Sequence, residues 1–208
     1  VTGGPKARNH TYVYDAGNRL TNVTNTSGGA TVIGLGYDPQ GNLQNKNGVV
    51  YTFDQGNRLR QGGGEQYRYD GHGRRVLSLR DGRNLFSVYG QDGTLRFQRD
   101  EHTGKTIDDV HLGGSLVAQV ENAIALSTPT LTTPASSSTG SYAISWGTVA
   151  IATKYQVQER LGSGSWALIH DAVGNSRSIS GKAAGTWGYR VRACSPATCG
   201  RWRAEKMV

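Results

Sequence analysis

One phrase recurs four times before residue 80. It reads YDAGNRL at Tyr14–Leu20, YDPQGNL at Tyr37–Leu43, FDQGNRL at Phe53–Leu59 and YDGHGRRV at Tyr69–Val76. An aromatic residue is followed by Asp, then one or two residues, then Gly, then Asn or Arg and an aliphatic. The aspartates fall at 15, 38, 54 and 70, so the steps are 23, 16 and 16 residues. A degenerate fifth copy, YGQDGTL, stands at Tyr89–Leu95. A repeat of this kind constrains the fold more than any other feature, because each unit must bury its apolar face against a neighbouring unit.

The physical reading of one unit is a strand, a tight turn and a returning strand. Aromatic residues such as Tyr12, Tyr14, Tyr67 and Tyr69 alternate with other residues in the pattern of a β-strand. Asp15, Asp38, Asp54 and Asp70 each start a turn, by accepting from a backbone N–H two residues on. Gly17, Gly41, Gly56 and Gly73 supply the turn glycines. Gly17 and Gly56 come one residue early, so those two turns are expected to be a tighter type or to carry a bulge. Gly28-Gly29 and Gly62-Gly63-Gly64 punctuate the strands, and Leu112–Val120 reads as a last strand bent at Gly113-Gly114. Residues 1–9 are expected to be loosely ordered.

The phrase resembles the YD or RHS repeat, found in bacterial surface and toxin proteins and in animal teneurins. The resemblance covers residues 8–121, because Phe97–Glu121 is also similar to a segment that ends the repeats in bacterial members. It implies a spiralling β-sheet that closes into a shell. Bacterial members often end that shell with a self-cleavage segment containing Asp-Pro. The only Asp-Pro here, Asp38-Pro39, belongs to a repeat turn. The chain therefore reads as a piece of a longer protein, from a bacterial source.

Composition changes after residue 126. Of 30 glycines, 21 lie in residues 1–126, while residues 127–208 are rich in Ser, Thr and Ala. The expected domains are 1–126, the repeat region, and 127–208, a β-sandwich. Strands are expected at Thr130–Thr133, Tyr142–Trp146, Lys154–Arg160, Trp166–His170, Arg177–Ser180, Trp187–Ala193 and Trp202–Glu205, the regular spacing of a sandwich. Residues 129–206 resemble a fibronectin type III domain, carried by Pro129–Pro134, Trp146, YQVQER at Tyr155–Arg160 and WGYRVRA at Trp187–Ala193. The resemblance implies a tyrosine corner at the place of Trp187, which has only an indole N–H to offer. The predicted fold class is all-β: a spiralling sheet of repeat hairpins, then an immunoglobulin-like sandwich.

Cys194 and Cys199 flank Ser-Pro-Ala-Thr, at either side of a turn between the last two strands, and are expected to form a disulfide. Such a bridge suits an extracellular or periplasmic setting. No catalytic residue and no metal set is predicted. Asp108, Asp109 and His111 read as edge charges, and one carboxylate per turn is too few for calcium. No phosphate-binding glycine loop and no cofactor site is present in the sequence. No run of eighteen apolar residues exists to span a membrane as a helix. The charge is uneven: residues 127–208 hold 9 Lys/Arg against 3 Asp/Glu, residues 1–126 hold 14 against 12. Nucleic acid is not the expected partner, since the repeat arginines are matched by acids.

The leading reading is a non-catalytic structural or adhesive segment of a large secreted or cell-surface protein, bacterial in origin. Its partners would be neighbouring repeats and domains of the parent chain, and a protein or surface glycan. Trp166 and Trp202 are the candidate contact residues. The alternatives are a carbohydrate-binding module, or part of a shell around a toxin encoded downstream.

Overall fold

The computed structural model describes residues 9–25 and 29–208. The expected loose start, Asn9 apart, and Gly28 lie outside the described residues. The described elements are all strands, and they fall into two compact units, Val1–Gly82 and Arg83–Val208.

The first unit is an antiparallel meander. Its strands are β1 (His10–Tyr14), β2 (Leu20–Asn25), β3 (Thr31–Tyr37), β4 (Leu43–Lys46), β5 (Val49–Phe53), β6 (Leu59–Gly62), β7 (Glu65–Tyr69) and β8 (Arg75–Arg80). Each pairs with the next in chain order. Two kinds of turn alternate. At each Tyr-Asp copy the Asp amide donates to the carbonyl four residues on, and the amide three residues on donates back to the Asp carbonyl. The third residue after the Asp is left-handed: Asn18 at φ 60°, Gly41 at 89°, Asn57 at 57° and Gly73 at 81°. This is a type I turn followed by a left-handed bulge residue.

Of the two expectations for Asp15 and Asp54, the bulge is the one found. Their turns are no tighter than the others, and the bulge is common to all four copies. Asn18 and Asn57 take the left-handed position, which Asn tolerates, so Gly17 and Gly56 have ordinary backbone. Those two glycines are close to their own carboxylate instead. A Cβ added at either would lie 3.3 Å from the Asp Oδ1.

The second kind of turn is a two-residue hairpin with both residues left-handed, at Asn47-Gly48 and Gly63-Gly64. Gly62 is a strand residue rather than part of that turn. The Tyr51 ring occupies the place of its missing Cβ. Burial in this unit is thin, with Val23 and Tyr67 its fully buried apolar residues.

The second unit opens with another antiparallel meander: β9 (Arg83–Tyr89), β10 (Leu95–Asp100), β11 (Lys105–Leu112) and β12 (Ser115–Ala123). The single strand expected over Leu112–Val120 is in fact the meeting of two. Gly113-Gly114, at φ 57° and 85°, form their hairpin turn.

A two-sheet antiparallel sandwich follows. One sheet orders β13 (Leu131–Thr132), β14 (Tyr142–Trp146) and β17 (Ser176–Ile179). The other orders β16 (Ala167–Ala172), β15 (Lys154–Leu161), β18 (Trp187–Cys194) and β19 (Lys206–Met207). Leu131, Ile144, Trp146, Tyr155, Val157, Ile179, Tyr189 and Val191 form its core. The expected last strand at Trp202–Glu205 is not one. That stretch runs beside β18 through Arg203 N–H to Val191 O, 2.8 Å, and the paired strand starts at Lys206. The Trp187 indole N–H donates to Ala183 O, 3.1 Å.

Candidate functional site

The turn aspartates are engaged by their own turns. Asp54 Oδ1 accepts from the Gly56 and Arg58 amides at 2.9 and 3.0 Å, and Oδ2 from Arg58 Nε at 2.9 Å. Asp70 does the same with the His72 and Arg74 amides and Arg74 Nε. Asp15 is held by the Arg19 amide and Nε. At Asp38 the arginine is replaced by Asn42, whose amide and Nδ2 make the two bonds. In the fifth copy Gly90 stands where the others have Asp, and the carboxylate comes from Asp92. Its Oδ1 fills the space of a Gly90 Cβ, 2.5 Å away, and its Oδ2 pairs with Arg96.

These arginines also reach the next copy. Arg19 lies over the Tyr37 ring at 4.9 Å, and Tyr37 O–H donates to Leu20 O at 2.8 Å. Arg58 lies over Tyr69 at 5.7 Å, and Tyr69 O–H donates to Leu59 O at 2.9 Å. Between the second and third copies both halves of this relay change together. Asn42 replaces the arginine and Phe53 the tyrosine, and Asn42 Nδ2 donates to Asn57 Oδ1 instead, 2.9 Å.

The turn hydrogen bonds hold these carboxyls below their ordinary value of 3.8. The Arg19 amide is the first cause at Asp15, the Asn42 side chain at Asp38 and the Arg58 amide at Asp54. At Asp70 desolvation is the largest influence and opposes, but the Arg74 amide and guanidinium outweigh it. A carboxyl lowered in the folded state stabilises the fold above its unfolded value, and that stability is lost as pH falls through the folded value. We expect the unfolding midpoint to hold level down to about pH 4 and to fall steeply below it. Asp70→Asn should flatten that fall, and an unchanged acid limb in a melt series across pH would refute the assignment.

None of these aspartates converges on another, and among the described residues no group of three or more His, Cys, Asp or Glu is placed to hold a metal ion. Asp109 accepts from Gln119 Nε2 at 2.8 Å across the β11–β12 pair.

Cys194 and Cys199 are bridged, with S–S 2.02 Å. Inside the bridged loop, Ser195 Oγ accepts from the Ala197 and Thr198 amides. The loop carries the turn between β10 and β11: a Cβ at Gly104 would stand 2.7 Å from Ser195 Oγ and 3.5 Å from Ala197 Cβ. Gly104 O in turn accepts from the Ile124 amide at 2.8 Å. Opening the bridge is expected to lower stability by about 2 kcal/mol, from loop entropy alone. Chemical denaturation of the Cys194→Ser, Cys199→Ser protein measures it.

Trp166 and Trp202, predicted as contact residues, come together on the outer face of the β15–β18 pair. They alternate with three guanidinium groups. Arg160 and Arg190 lie over Trp166 at 4.7 and 4.2 Å, and Arg190 and Arg192 over Trp202 at 4.8 and 4.4 Å. The order is Arg160, Trp166, Arg190, Trp202, Arg192. The strand pleat explains it. Arg190 and Arg192 point away from the core that Tyr189 and Val191 enter, and the register sets Gln158 beside Arg190, Gln156 beside Arg192 and Arg160 beside Gly188.

The guanidiniums are fixed from the side. Arg190 donates to Gln158 Oε1 at 2.8 and 2.6 Å, Arg192 to Gln156 Oε1 at 2.8 Å, and Arg160 bidentately to Glu205 at 2.6 to 2.9 Å. Gly188 leaves room for the last pair, because its Cβ would meet Glu205 Oε2 at 3.0 Å. Burial, then the charges of Arg160 and Arg192, push Arg190 below its ordinary value, and Glu205 opposes them. The sequence reading missed the arginines as members of this site. Their signal was the alternation of Arg190 and Arg192 against buried neighbours on one strand.

No curated protein matches the chain significantly. Among 14 solved chains that are similar to it, one titled "Cytokine receptor complex - Crystal form 1A" has 17% identity and a TM-score of 0.36, covering 77% of this chain and 84% of that one, a likeness too slight to carry any inference. The family model described as "Teneurin YD-shell" matches residues 2–100, so the N-terminal, turn-bearing part of the chain is similar to that family.

Proposed function

We propose that the chain is a structural and adhesive segment of a large secreted or cell-surface RHS-type protein. The YD-shell segment is non-catalytic and supplies the scaffold. The sandwich, of fibronectin type III kind, is the module that meets a protein or a surface glycan. The domain boundary proposed for these roles lies at residues 126/127, after β12 has ended at Ala123 and where the Ser/Thr-rich stretch begins. The observation that carries the reading is the state of the repeated carboxylates, each bonded by its own turn's amides and side chains. The Cys194–Cys199 bridge supports a setting outside the reducing cytosol.

The test is adhesion of the full chain to intact bacterial and animal cells, with variants in each part. Substitutions on the outer face of β15–β18 should abolish retention, while Asp70→Asn should leave it at assay temperature. Retention that follows the repeat variants, or turnover of a substrate abolished by a single substitution, would overturn the assignment. The carbohydrate-binding alternative keeps Trp166 and Trp202 as its contacts. Each ring already meets two guanidiniums, which favours charged over neutral sugars.

A further inference from the structure

We propose that the Arg160–Trp166–Arg190–Trp202–Arg192 ladder is a docking track for a carboxylate-bearing polysaccharide, a polyuronate. The inference rests on the adhesive reading of the sandwich and names its ligand class. Three features of the ladder point to a polymer of carboxylates. The first is charge. Among the described residues, Arg190 and Arg192 are hydrogen-bonded only to the neutral amides of Gln158 and Gln156. On this face the cations Arg160, Arg190, Arg192 and Lys154 stand against two acids, Glu205 and Asp171, which pair with Arg160 and Lys154. Neither Arg190 nor Arg192 is paired with a carboxylate among the described residues, and Glu205 acts on Arg190 only at a distance. Their mutual repulsion, already felt at Arg190, is relieved by an anion.

The second feature is geometry. Residues two apart on a strand repeat every ~7 Å, which is the step from Arg190 to Arg192 on β18, and Arg160 of β15 stands beside Gly188, the next position of that face, so the three cations follow one another along the β15–β18 pair. A regular polymer meets such a row in several registers, whereas a globular acidic partner gains nothing from the regularity. The third is an internal precedent. Arg160 shows the preferred ligand of this ladder, a carboxylate gripped by two guanidinium nitrogens. A uronate would do for Arg190 and Arg192 what Glu205 does for Arg160, using the N–H groups that the glutamines leave free. The indoles hold the guanidiniums in parallel and present apolar edges to the sugar ring between charges.

The experiment uses the full chain and four immobilised probes: alginate, neutral dextran, an acidic polypeptide (polyglutamate) and duplex DNA. Alginate should be retained and dextran should not, with binding weakening as salt rises. Arg190→Gln with Arg192→Gln should weaken alginate binding at least tenfold. Arg192→Lys, which keeps the charge but not the fork, should lie between. Because Arg190 also supports the sandwich, each variant is checked by its thermal melt, and Arg177→Gln, on β17 of the other sheet, serves as the charge control. Equal loss in Arg177→Gln, unchanged binding in the ladder variants, or tighter binding to polyglutamate or DNA would overturn the proposal. Adhesion to cells that survives the ladder variants would sink the track while leaving the sandwich as an adhesive module. Failure of any adhesion would sink both.

Discussion

Trp146→Ala is expected to destabilise the sandwich by about 3–5 kcal/mol, the range for emptying a large aromatic from a core. Trp146 closes the centre of the two sheets. It is 4% exposed, and its ring meets Tyr155 at 6.0 Å and His170 at 5.1 Å. Loss on that scale is a large part of the stability of a single domain. Trp146→Phe should cost far less. Among the described residues the indole N–H has no hydrogen-bond partner, so phenylalanine removes an unsatisfied donor along with part of the volume. Chemical denaturation of both variants, followed by tryptophan fluorescence from the remaining indoles, separates the two effects. Near-equal losses would mean that the N–H matters after all.

The second large effect is expected at Gly104. Valine there should destabilise the second unit by about 3 kcal/mol, combining a left-handed β-branched residue with overpacking. The backbone stands at φ 71°, and the added carbon would overlap Ser195 in the bridged loop. The local consequence is more telling than the melt. The Ile124 amide bonds Gly104 O, so its hydrogen exchange should quicken when the turn is pushed from the loop. Gly113→Asn is the contrast: also left-handed, at φ 57°, but open to solvent, and expected to be nearly neutral. If both substitutions behaved alike, conformational freedom alone would explain the pair and the Ser195 contact would be irrelevant.

The sequence announced the repeats because their turns use local chemistry. An Asp acceptor and a left-handed residue at fixed spacing need no distant partner to be recognised. It was less clear which residue turns left-handed. Gly17 and Gly56 are the conspicuous glycines of their turns, yet the neighbouring Asn18 and Asn57 take the left-handed backbone. Asn47-Gly48, between two copies of the phrase, is a strong hairpin signal in its own right. The β11 strand was hidden by its charges: Asp108, Asp109 and His111 sit on a strand whose faces are both half open, so alternation is faint. The ladder was legible in part. Trp166 and Trp202 read as surface aromatics, but their joining depends on Trp202 lying outside any strand and folding back beside β18, which no local pattern encodes.

The seam between the second and third Tyr-Asp copies differs from its neighbours. There a single amide contact from Asn42 stands in for a guanidinium stacked on a phenol whose hydroxyl grips the backbone. Drawn out from its ends, the first unit would unzip there first, giving way at a chosen joint while the flanking hairpins stay folded. A chain of otherwise similar units thus carries a built-in fuse, set by two side chains, Asn42 and Phe53.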